Sequence, residues 1–286
     1  MQEIIKKHHT KDVCSLLDYS SSSLYYKPSP RFRDTEFDKS VKEKFVKSKQ
    51  KFGQRRIKVD FHREGIQVSR RRIGESMSYQ NLVSKKMRHT KSITKSVRSP
   101  YPHSNLVNQE FKGREPFEIV SADTMYLQIG RRRHYLCLLI DIATKIIYGW
   151  AVSTELGSEL TIEALLSTKY KDRKIKIFHS DRGSEFNNER INVFFKSPET
   201  QISLSGVANP LDNAVSESLN STIRVEFEFE SEFNNLTEFK VEFGEYVEWY
   251  NNERYHSSLN YKSPVEYLKS LDKKNGNKNY VKRTRK

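Results

Sequence analysis

Cysteine is scarce in this chain, which contains only Cys14 and Cys137. The two lie far apart and neither belongs to a CxxC motif, which excludes a disulfide framework and a cysteine-based zinc site. Long apolar runs are also missing, because the longest, Tyr135–Ile140, is far too short to span a bilayer. The N-terminus has no apolar core of the signal-peptide type. These absences predict a cytoplasmic protein in a reducing compartment, with no membrane partner.

Acidic residues are outnumbered, with 36 Asp and Glu against 51 Lys and Arg, and the net charge is +15. The excess is uneven, because residues 41–100 contain 18 Lys and Arg but only 4 Asp and Glu. A charge of this size and clustering indicates a polyanionic partner, and nucleic acid is the first expectation. The alternative is a merely basic protein with no such partner. At 286 residues the chain is long enough for two folded units.

Two short helices around a glycine turn are predicted inside this basic region. Ile57 and Phe61 share one helical face, Gly65 is placed to end that helix, and Ser69 is placed to cap the next one. This pattern is typical of a helix-turn-helix. We expect DNA contacts from the arginines at the start of each helix, since basic helices of this kind bind phosphates; these are Arg55, Arg56, Arg70, Arg71 and Arg72. A solvated basic hairpin is the alternative.

Residues 116–270 have the alternating pattern of an α/β unit. Three strands close enough for hairpins come first, which predicts an antiparallel start to the sheet. A helix from Ser158 then precedes a short strand, 175–180, which is therefore expected to run parallel to the first strand, 117–127.

Acidic residues end two of these strands and occupy one helix. Asp123 and Asp181 would lie side by side at the carboxyl ends of two parallel strands, and Glu217 would approach from a helix. Phosphoryl transfer needs charge neutralised and an attacking oxygen aligned, and two hard cations held by carboxylates can do both. Mg²⁺ prefers such oxygen ligands. We therefore interpret the three acids as a divalent-metal site for phosphoryl transfer on DNA.

Other polar residues nearby have structural explanations that we favour. Asp141, Glu185 and His179 are interpreted as packed or loop residues, and Asp212 as a helix N-cap. On the helix of Glu217, a polar stripe continues through Asn220, and we expect DNA contacts from two further members of the stripe, Asn213 and Arg224.

Three stretches resemble bacterial insertion-sequence transposases of the OrfB type, in the retroviral-integrase-like DDE superfamily. They are His179-Ser180-Asp181-Arg182-Gly183-Ser184-Glu185-Phe186, Asp212-Asn213-Ala214-Val215-Ser216-Glu217-Ser218, and Tyr250-Asn251-Asn252-Glu253-Arg254-Tyr255-His256-Ser257-Ser258-Leu259 with Ser263-Pro264. Upstream, Phe52-Gly53-Gln54-Arg55-Arg56-Ile57 resembles the helix-turn-helix of that family. The chain departs from the family pattern at Val120, at Met125 and in the loop 203–209, where two basic residues are absent.

The resemblance implies an α/β fold, namely an RNase H-like integrase catalytic core with a mixed five-stranded sheet and flanking helices, preceded by a small all-α helix-turn-helix region. It implies Asp123, Asp181 and Glu217 as catalytic, metal-binding residues, with Mg²⁺ or Mn²⁺, two ions in all, as cofactor. The predicted ranges are an N-terminal helical segment 1–30, the helix-turn-helix region 31–90, a linker 91–112, the catalytic core 113–271 and a basic disordered tail 272–286.

The reaction implied by the resemblance is DNA strand cleavage and strand transfer in the bacterial cytoplasm. The implied partners are double-stranded DNA at the element ends and the target, further copies of the chain as a homo-oligomer on DNA, and an OrfA-type protein from an upstream reading frame. Two alternatives remain open: an RNase H-like nuclease that does not join strands, and an inactive DNA-binding regulator of transposition.

Overall fold

The structure is a computed structural model that describes most of the chain. The described residues are 12, 14, 15, 34–84, 103–196, 199–206, 209–228 and 233–283. Most of the predicted helical segment 1–30, most of the predicted linker and residues 207 and 208 of the altered loop lie outside them.

A five-stranded sheet forms the centre of the larger unit. Its strands are β1 (Ile119–Ile129), β2 (Arg132–Asp141), β3 (Ile147–Ser153), β4 (Ile177–Ser180) and β5 (Gln201–Leu204). Their order is β3-β2-β1-β4-β5, with β1 to β3 antiparallel and with β4 and β5 parallel to β1. The sequence predictions of an antiparallel start and of a parallel fourth strand are confirmed.

Eight α-helices are found in the described part of the chain. They are α1 (Thr35–Lys47), α2 (Gln54–Arg63), α3 (Arg70–Tyr79), α4 (Ser158–Leu166), α5 (Glu189–Phe194), α6 (Ala214–Ile223), α7 (Leu236–Asn252) and α8 (Pro264–Arg283). Helix α6 is a short helix, because a 3₁₀ turn, Pro210–Asn213, precedes it and a π-helical segment, Arg224–Glu228, follows it.

Each face of the sheet buries an apolar cluster. On one face, side chains of β1 such as Met125 and Leu127 pack against Leu219 and Ile223 of α6 and against the aromatic face of α7. On the other face, Val120 and its neighbours pack against α4 and α5. The alternation along β1 sends successive residues to opposite faces, so both helical layers are fixed to the same strand.

The N-terminal helices pack around a separate cluster, as the apolar periodicity predicts. Ile57 and Phe61 of α2 and Ile73 of α3 are buried together. Gly65 ends α2 with a φ of +78°, a conformation that favours glycine. Ser69 caps α3, because its Oγ accepts a hydrogen bond of 3.2 Å from the Arg72 amide. The predicted pair of helices around a glycine turn is confirmed.

This helical unit is docked against the larger unit. The Tyr255 hydroxyl donates a 2.7 Å hydrogen bond to Asp60 of α2, and the ring of Phe52 lies 5.1 Å from that of Tyr255. At the rim, Arg63 makes two hydrogen bonds of 2.9 Å to the carboxylate of Glu266. The two units therefore share a contact surface of aromatic rings and ion pairs.

Part of the predicted linker belongs to the larger unit. The Leu106 amide donates a 2.9 Å hydrogen bond to the Ser203 hydroxyl, and the Leu204 amide donates one of 3.3 Å to the Ser104 carbonyl. Val107 is fully buried beside Ile119. The linker prediction is therefore wrong for residues 103–112, because one apolar side chain and two backbone hydrogen bonds fix a stretch of low periodicity to the sheet.

The C-terminal helix is longer than predicted. Ser263 and Glu266 form a capping box, in which each side chain accepts a hydrogen bond from the backbone amide of the other residue. Helix α8 then continues to Arg283, so the predicted disordered tail is wrong for residues 272–283. Extending a nucleated helix adds one hydrogen bond per residue, which favours continuation through a lysine-rich stretch. None of the helices in the described ranges combines the length and the apolar character that crossing a membrane requires.

Candidate active site

Asp123 and Asp181 lie level with each other on neighbouring strands. The parallel pairing of β1 with β4 ends at Ser121 and His179, and each aspartate follows two residues later. Both side chains therefore leave the same face of the sheet, and adjacent strands are about 4.8 Å apart. The sequence prediction that these two acids are neighbours agrees with this register.

Helix α6 lies along β1 and brings Glu217 to the same place. The Ser216 hydroxyl donates a 2.8 Å hydrogen bond to the Ser121 hydroxyl, and one turn later Asn220 Nδ2 donates one of 2.7 Å to Asp123 Oδ2. Glu217 stands between these two contacts. Two hydrogen bonds thus fix the position of this helix against the strand that carries the first aspartate.

The pKa values of the three acids are all raised above their usual values. Burial raises the pKa of Asp123 to about 8, and the nearby charges of Asp181, Glu217 and Glu185 add to the effect. Burial also raises the pKa of Asp181, against a 2.9 Å hydrogen bond from the Gly183 amide to its Oδ1. The pKa of Glu217 is raised by burial and by Asp181. The charge of Asp181 therefore disfavours ionisation of both Asp123 and Glu217.

Charges influence each other's pKa over longer distances than those at which side chains can bind one metal ion together. Within the described residues, no three His, Cys, Asp or Glu side chains are grouped closely enough to hold a metal ion between them. The donor set nonetheless fits a hard divalent cation, since all of these groups are carboxylates. Asn220 supplies an independent indication, because its Oδ1 is buried beside Asp123 without a hydrogen-bond partner. An acceptor in that position suits a water molecule or a hydroxyl bound near the carboxylates.

Glu185 is a fourth acid of this cluster, which the sequence analysis interpreted as a structural loop residue. Burial and the charge of Asp181 raise its pKa against the opposing effect of a backbone hydrogen bond, and it contributes to the shift at Asp123. A side chain at Gly183 would place a Cβ 2.5 Å from the Glu185 carboxylate. The glycine two residues before this glutamate was the available signal, because it leaves room for the carboxylate to turn toward Asp181.

The other polar candidates have structural roles. His179 is buried, with Nδ1 2.9 Å from the Ser203 hydroxyl and Nε2 3.0 Å from the Asp212 carbonyl. Asp141 is also buried and accepts a hydrogen bond from the Phe117 amide. This agrees with the structural role that the sequence favoured. Asp212 caps no helix. Its carboxylate instead accepts a 2.8 Å hydrogen bond from the Gly206 amide, which holds the loop before α6 in place.

The two predicted DNA contacts on the Glu217 helix differ in placement. Asn213 is only 5% exposed and accepts a 2.8 Å hydrogen bond from the Ser121 hydroxyl, so the prediction of a DNA contact there is not supported by its position. Arg224 follows the last turn of α6, and its guanidinium lies 5.6 Å from the centre of the Tyr126 ring. Arg224 is partly exposed, whereas Asn213 is buried and holds the start of the helix against β1 through its hydrogen bond with Ser121.

The arginines of the N-terminal unit also divide into two groups. Arg55, Arg70 and Arg71 are exposed. Arg72 is exposed too, although it pairs with Asp34 at 2.8 Å. Arg56 instead turns inward, and the prediction that it contacts DNA is not supported by its position.

Arg56 joins a buried ion cluster between the two units. Its Nη1 lies 3.6 Å from Glu226, which accepts two 2.7 Å hydrogen bonds from Arg254. Burial would raise the pKa of Glu226, but Arg254 holds it below its usual value. Burial and the neighbouring charge of Arg254 lower the pKa of His256 to about 2, which keeps that ring neutral. The π-helical segment that continues α6 is thus anchored by charges from both units.

Comparison with known proteins places this fold and site in a family. Two protein-family models, both described as integrase core domain, match residues 113–210 and 199–264. Together these ranges cover the sheet and the three acids. The transposase for insertion sequence element IS904 of Lactococcus lactis is 29% identical over 250 residues, 86% of this chain and 99% of the relative. The putative transposase InsK for IS150 of Escherichia coli is 27% identical, over 80% of this chain and 81% of the relative.

Among solved structures, the HTLV-2 integrase catalytic core domain in complex with magnesium is similar to 55% of this chain and 99% of its own length, with 16% identity and a TM-score of 0.41. The chain's match to the integrase core domain and its similarity to curated transposases along most of its length show that the chain belongs to the bacterial insertion-sequence transposases of the integrase-like DDE superfamily.

Proposed function

We propose that this transposase cuts DNA at the ends of an insertion sequence and joins them to a target through the cluster of Asp123, Asp181 and Glu217. The observation that carries the proposal is the register of β1 and β4, which sets the two aspartates level. The raised pKa values of Asp123 and Glu217 support it, because the charge of Asp181 adds to the effect of burial at both.

Asp123, Asp181 and Glu217 would hold Mg²⁺ or Mn²⁺, as two ions. Such cations neutralise phosphate charge and align an attacking oxygen. The chain itself orients the carboxylates, since Asn220 and the Thr124 amide fix the two oxygens of Asp123, and the Gly183 amide fixes Asp181.

Cleavage and joining are the same exchange of bonds in this scheme. A water or a terminal DNA hydroxyl attacks phosphorus and gives up its proton to solvent as the new P–O bond forms. The bond to the leaving 3′ oxygen breaks, and that oxygen takes up a proton from solvent. The protein needs no covalent intermediate, so rigid placement of the acids on strand ends and a packed helix suffices.

DNA would reach this site along basic side chains of both units. Arg55, Arg70, Arg71 and Arg72 would contact phosphates on the N-terminal helices, because all four are exposed there. Arg224 would contact phosphate near the acids. The substrate is double-stranded DNA at the element ends and at the target.

The proposal includes assembly and location. Two element ends must be joined to one target, which favours a homo-oligomer on DNA. An OrfA-type protein from the upstream frame is a further proposed partner. The working compartment would be the bacterial cytoplasm, where the DNA is.

A joining assay tests the function. Labelled duplexes that carry one end of the element are mixed with supercoiled target plasmid and Mg²⁺ or Mn²⁺, and joined products are counted. We expect joining by the wild type and by Asp172→Asn, which changes an exposed acid outside the site, and none by Asp181→Asn. Nicking without joining would support the nuclease alternative. Binding with neither activity would support the inactive regulator.

A further inference from the structure

Tyr126 is exposed in the middle of a buried strand. Its neighbours Met125 and Leu127 pack into the core, whereas 58% of Tyr126 faces solvent. The pairing of β1 with β4 ends at Ser121, so this half of β1 extends beyond β4. An aromatic ring in such a position contributes little to the core and is available to a ligand.

Two guanidinium groups lie against this ring. Arg133 Cζ is 5.2 Å and Arg224 Cζ is 5.6 Å from the ring centre. Arg133 reaches it diagonally across the hairpin, because Tyr126 pairs with Tyr135 and Arg133 with Gln128. Arg224 is the first residue after α6. Two different elements thus bring their charges to one aromatic side chain.

The position of this group relative to the acids follows from element geometry. Tyr126 is three residues past Asp123, about 10 Å along a strand. Arg224 is seven residues past Glu217, about 10 Å along a helix. Since α6 lies alongside β1, Arg224 and Tyr126 reach the same level along the strand, roughly three nucleotide steps of a DNA strand beyond the acids. The alternation along β1 directs the Tyr126 side chain to the face opposite Asp123, and Arg224 nevertheless lies beside its ring.

Both arginines keep their hydrogen-bonding capacity. A guanidinium that lies over a ring presents its face to the ring and leaves its N–H groups free for a phosphate. In the part of the chain that the structure describes, no acidic side chain forms an ion pair with Arg133 or Arg224. The ring can therefore orient two cations without neutralising them.

We propose that Tyr126, Arg133 and Arg224 form a phosphate clamp that holds the DNA strand leading to the acid cluster. The arginines contact the phosphates, and Tyr126 is a positioning residue that sets the spacing of their guanidinium groups. The inference rests on the proposed function, and it adds a hairpin residue and a strand residue to the DNA-contacting surface.

The hairpin offers a matched control for the charge. Arg132 and Arg133 are adjacent and exposed, and only Arg133 lies over the ring. DNA binding is measured for Arg133→Gln and Arg132→Gln over a range of salt concentrations. Loss of one phosphate contact should lower the slope of log K against log salt by about 0.9. We expect that reduction for Arg133→Gln and less than half of it for Arg132→Gln. Equal slopes for the two variants would overturn the clamp.

Substitutions of the ring test its positioning role. Tyr126→Phe keeps the aromatic face, and we expect wild-type DNA affinity and wild-type KM for DNA in the joining reaction. Tyr126→Ala should raise that KM, while kcat and the melting temperature change little, because the side chain is exposed. Wild-type affinity in Tyr126→Ala would overturn the proposal. The binding arm needs no catalysis, so an inactive wild type would count against the proposed function and leave the clamp to be decided by the salt slopes.

Discussion

Asn220 Nδ2 on α6 donates a hydrogen bond of 2.7 Å to Asp123 on β1, and Oδ1 of the same amide is buried without a partner. This one contact ties the helix of Glu217 to the strand of the first aspartate. It also leaves an acceptor beside the carboxylate, where a bound water or hydroxyl could be held.

Replacing Asn220 with Ala should loosen Asp123 and weaken metal binding. Outer partners that orient metal-binding carboxylates typically contribute 10–100-fold to affinity, and we expect a loss of about 10-fold, measured by calorimetric titration with Mn²⁺. Asn213→Ala is the matched control, since Asn213 is a buried asparagine at the start of the same helix that contacts Ser121 and no acid. Equal losses in the two variants would show that Asn220 acts only through stability.

Asp123 should make the stability of the protein depend on pH. Its pKa is about 8 in the folded chain and near 3.9 when unfolded. Between these values the folded state holds a proton that the unfolded state has lost, so stability falls as pH rises from about 4 to about 8. With EDTA present, the melting temperature of the wild type should therefore fall relative to Asp123→Asn between pH 5 and pH 8, and then level off. A constant difference would mean that the carboxyl titrates normally.

The buried ion cluster should matter more to stability than the ion pair at the rim of the same interface. Glu226→Gln leaves Arg254 buried without a counter-charge, and loss of one partner in such a pair costs about 3–5 kcal/mol. Glu266→Gln removes the same charge from a pair with Arg63 in which both side chains are about 40% exposed, and the expected cost is about 0–1 kcal/mol. Urea unfolding of both variants measures this. Similar costs would contradict the account of the interface.

Adjacent arginines at the start of α2 should differ in their effect on DNA binding. Arg55→Gln removes an exposed charge and should lower the salt slope of binding by up to about 0.9. Arg56→Gln removes a charge already placed beside Glu226, and the slope should stay within error of the wild type. Salt titrations of DNA binding by both variants decide this. A lower slope for Arg56→Gln alone would reverse our assignment.

The sequence predicted those features that depend on local spacing. Asp123 and Asp181 could be paired because both follow apolar strands, and the direction of the fourth strand followed from the helix before it. The cap at Ser69 and the turn at Gly65 were readable for the same reason, since each depends on neighbouring residues.

Contacts between segments that are distant in the chain could not be predicted from local sequence patterns. Nothing local distinguishes Arg55 from Arg56, and only the docking of α2 near Glu226 separates them. The amphipathic pattern of α6 placed Asn213 on the polar stripe, but the close packing of α6 on β1 buries it. The role of Tyr126 likewise depends on Arg133 and Arg224, which reach its ring from two other elements.

The central claim is that Asp123, Asp181 and Glu217 together hold the metal ions of this transposase. Anomalous diffraction from crystals soaked in Mn²⁺ tests it most directly, because it locates the ions without relying on activity. We predict one or two peaks between the ends of β1 and β4, within about 2.2 Å of carboxylate oxygens from Asp123 and Asp181, and about 4 Å apart if two are bound. The peaks should be absent in crystals of Asp181→Asn. Mn²⁺ bound elsewhere in the core, with none between these two aspartates, would contradict the account.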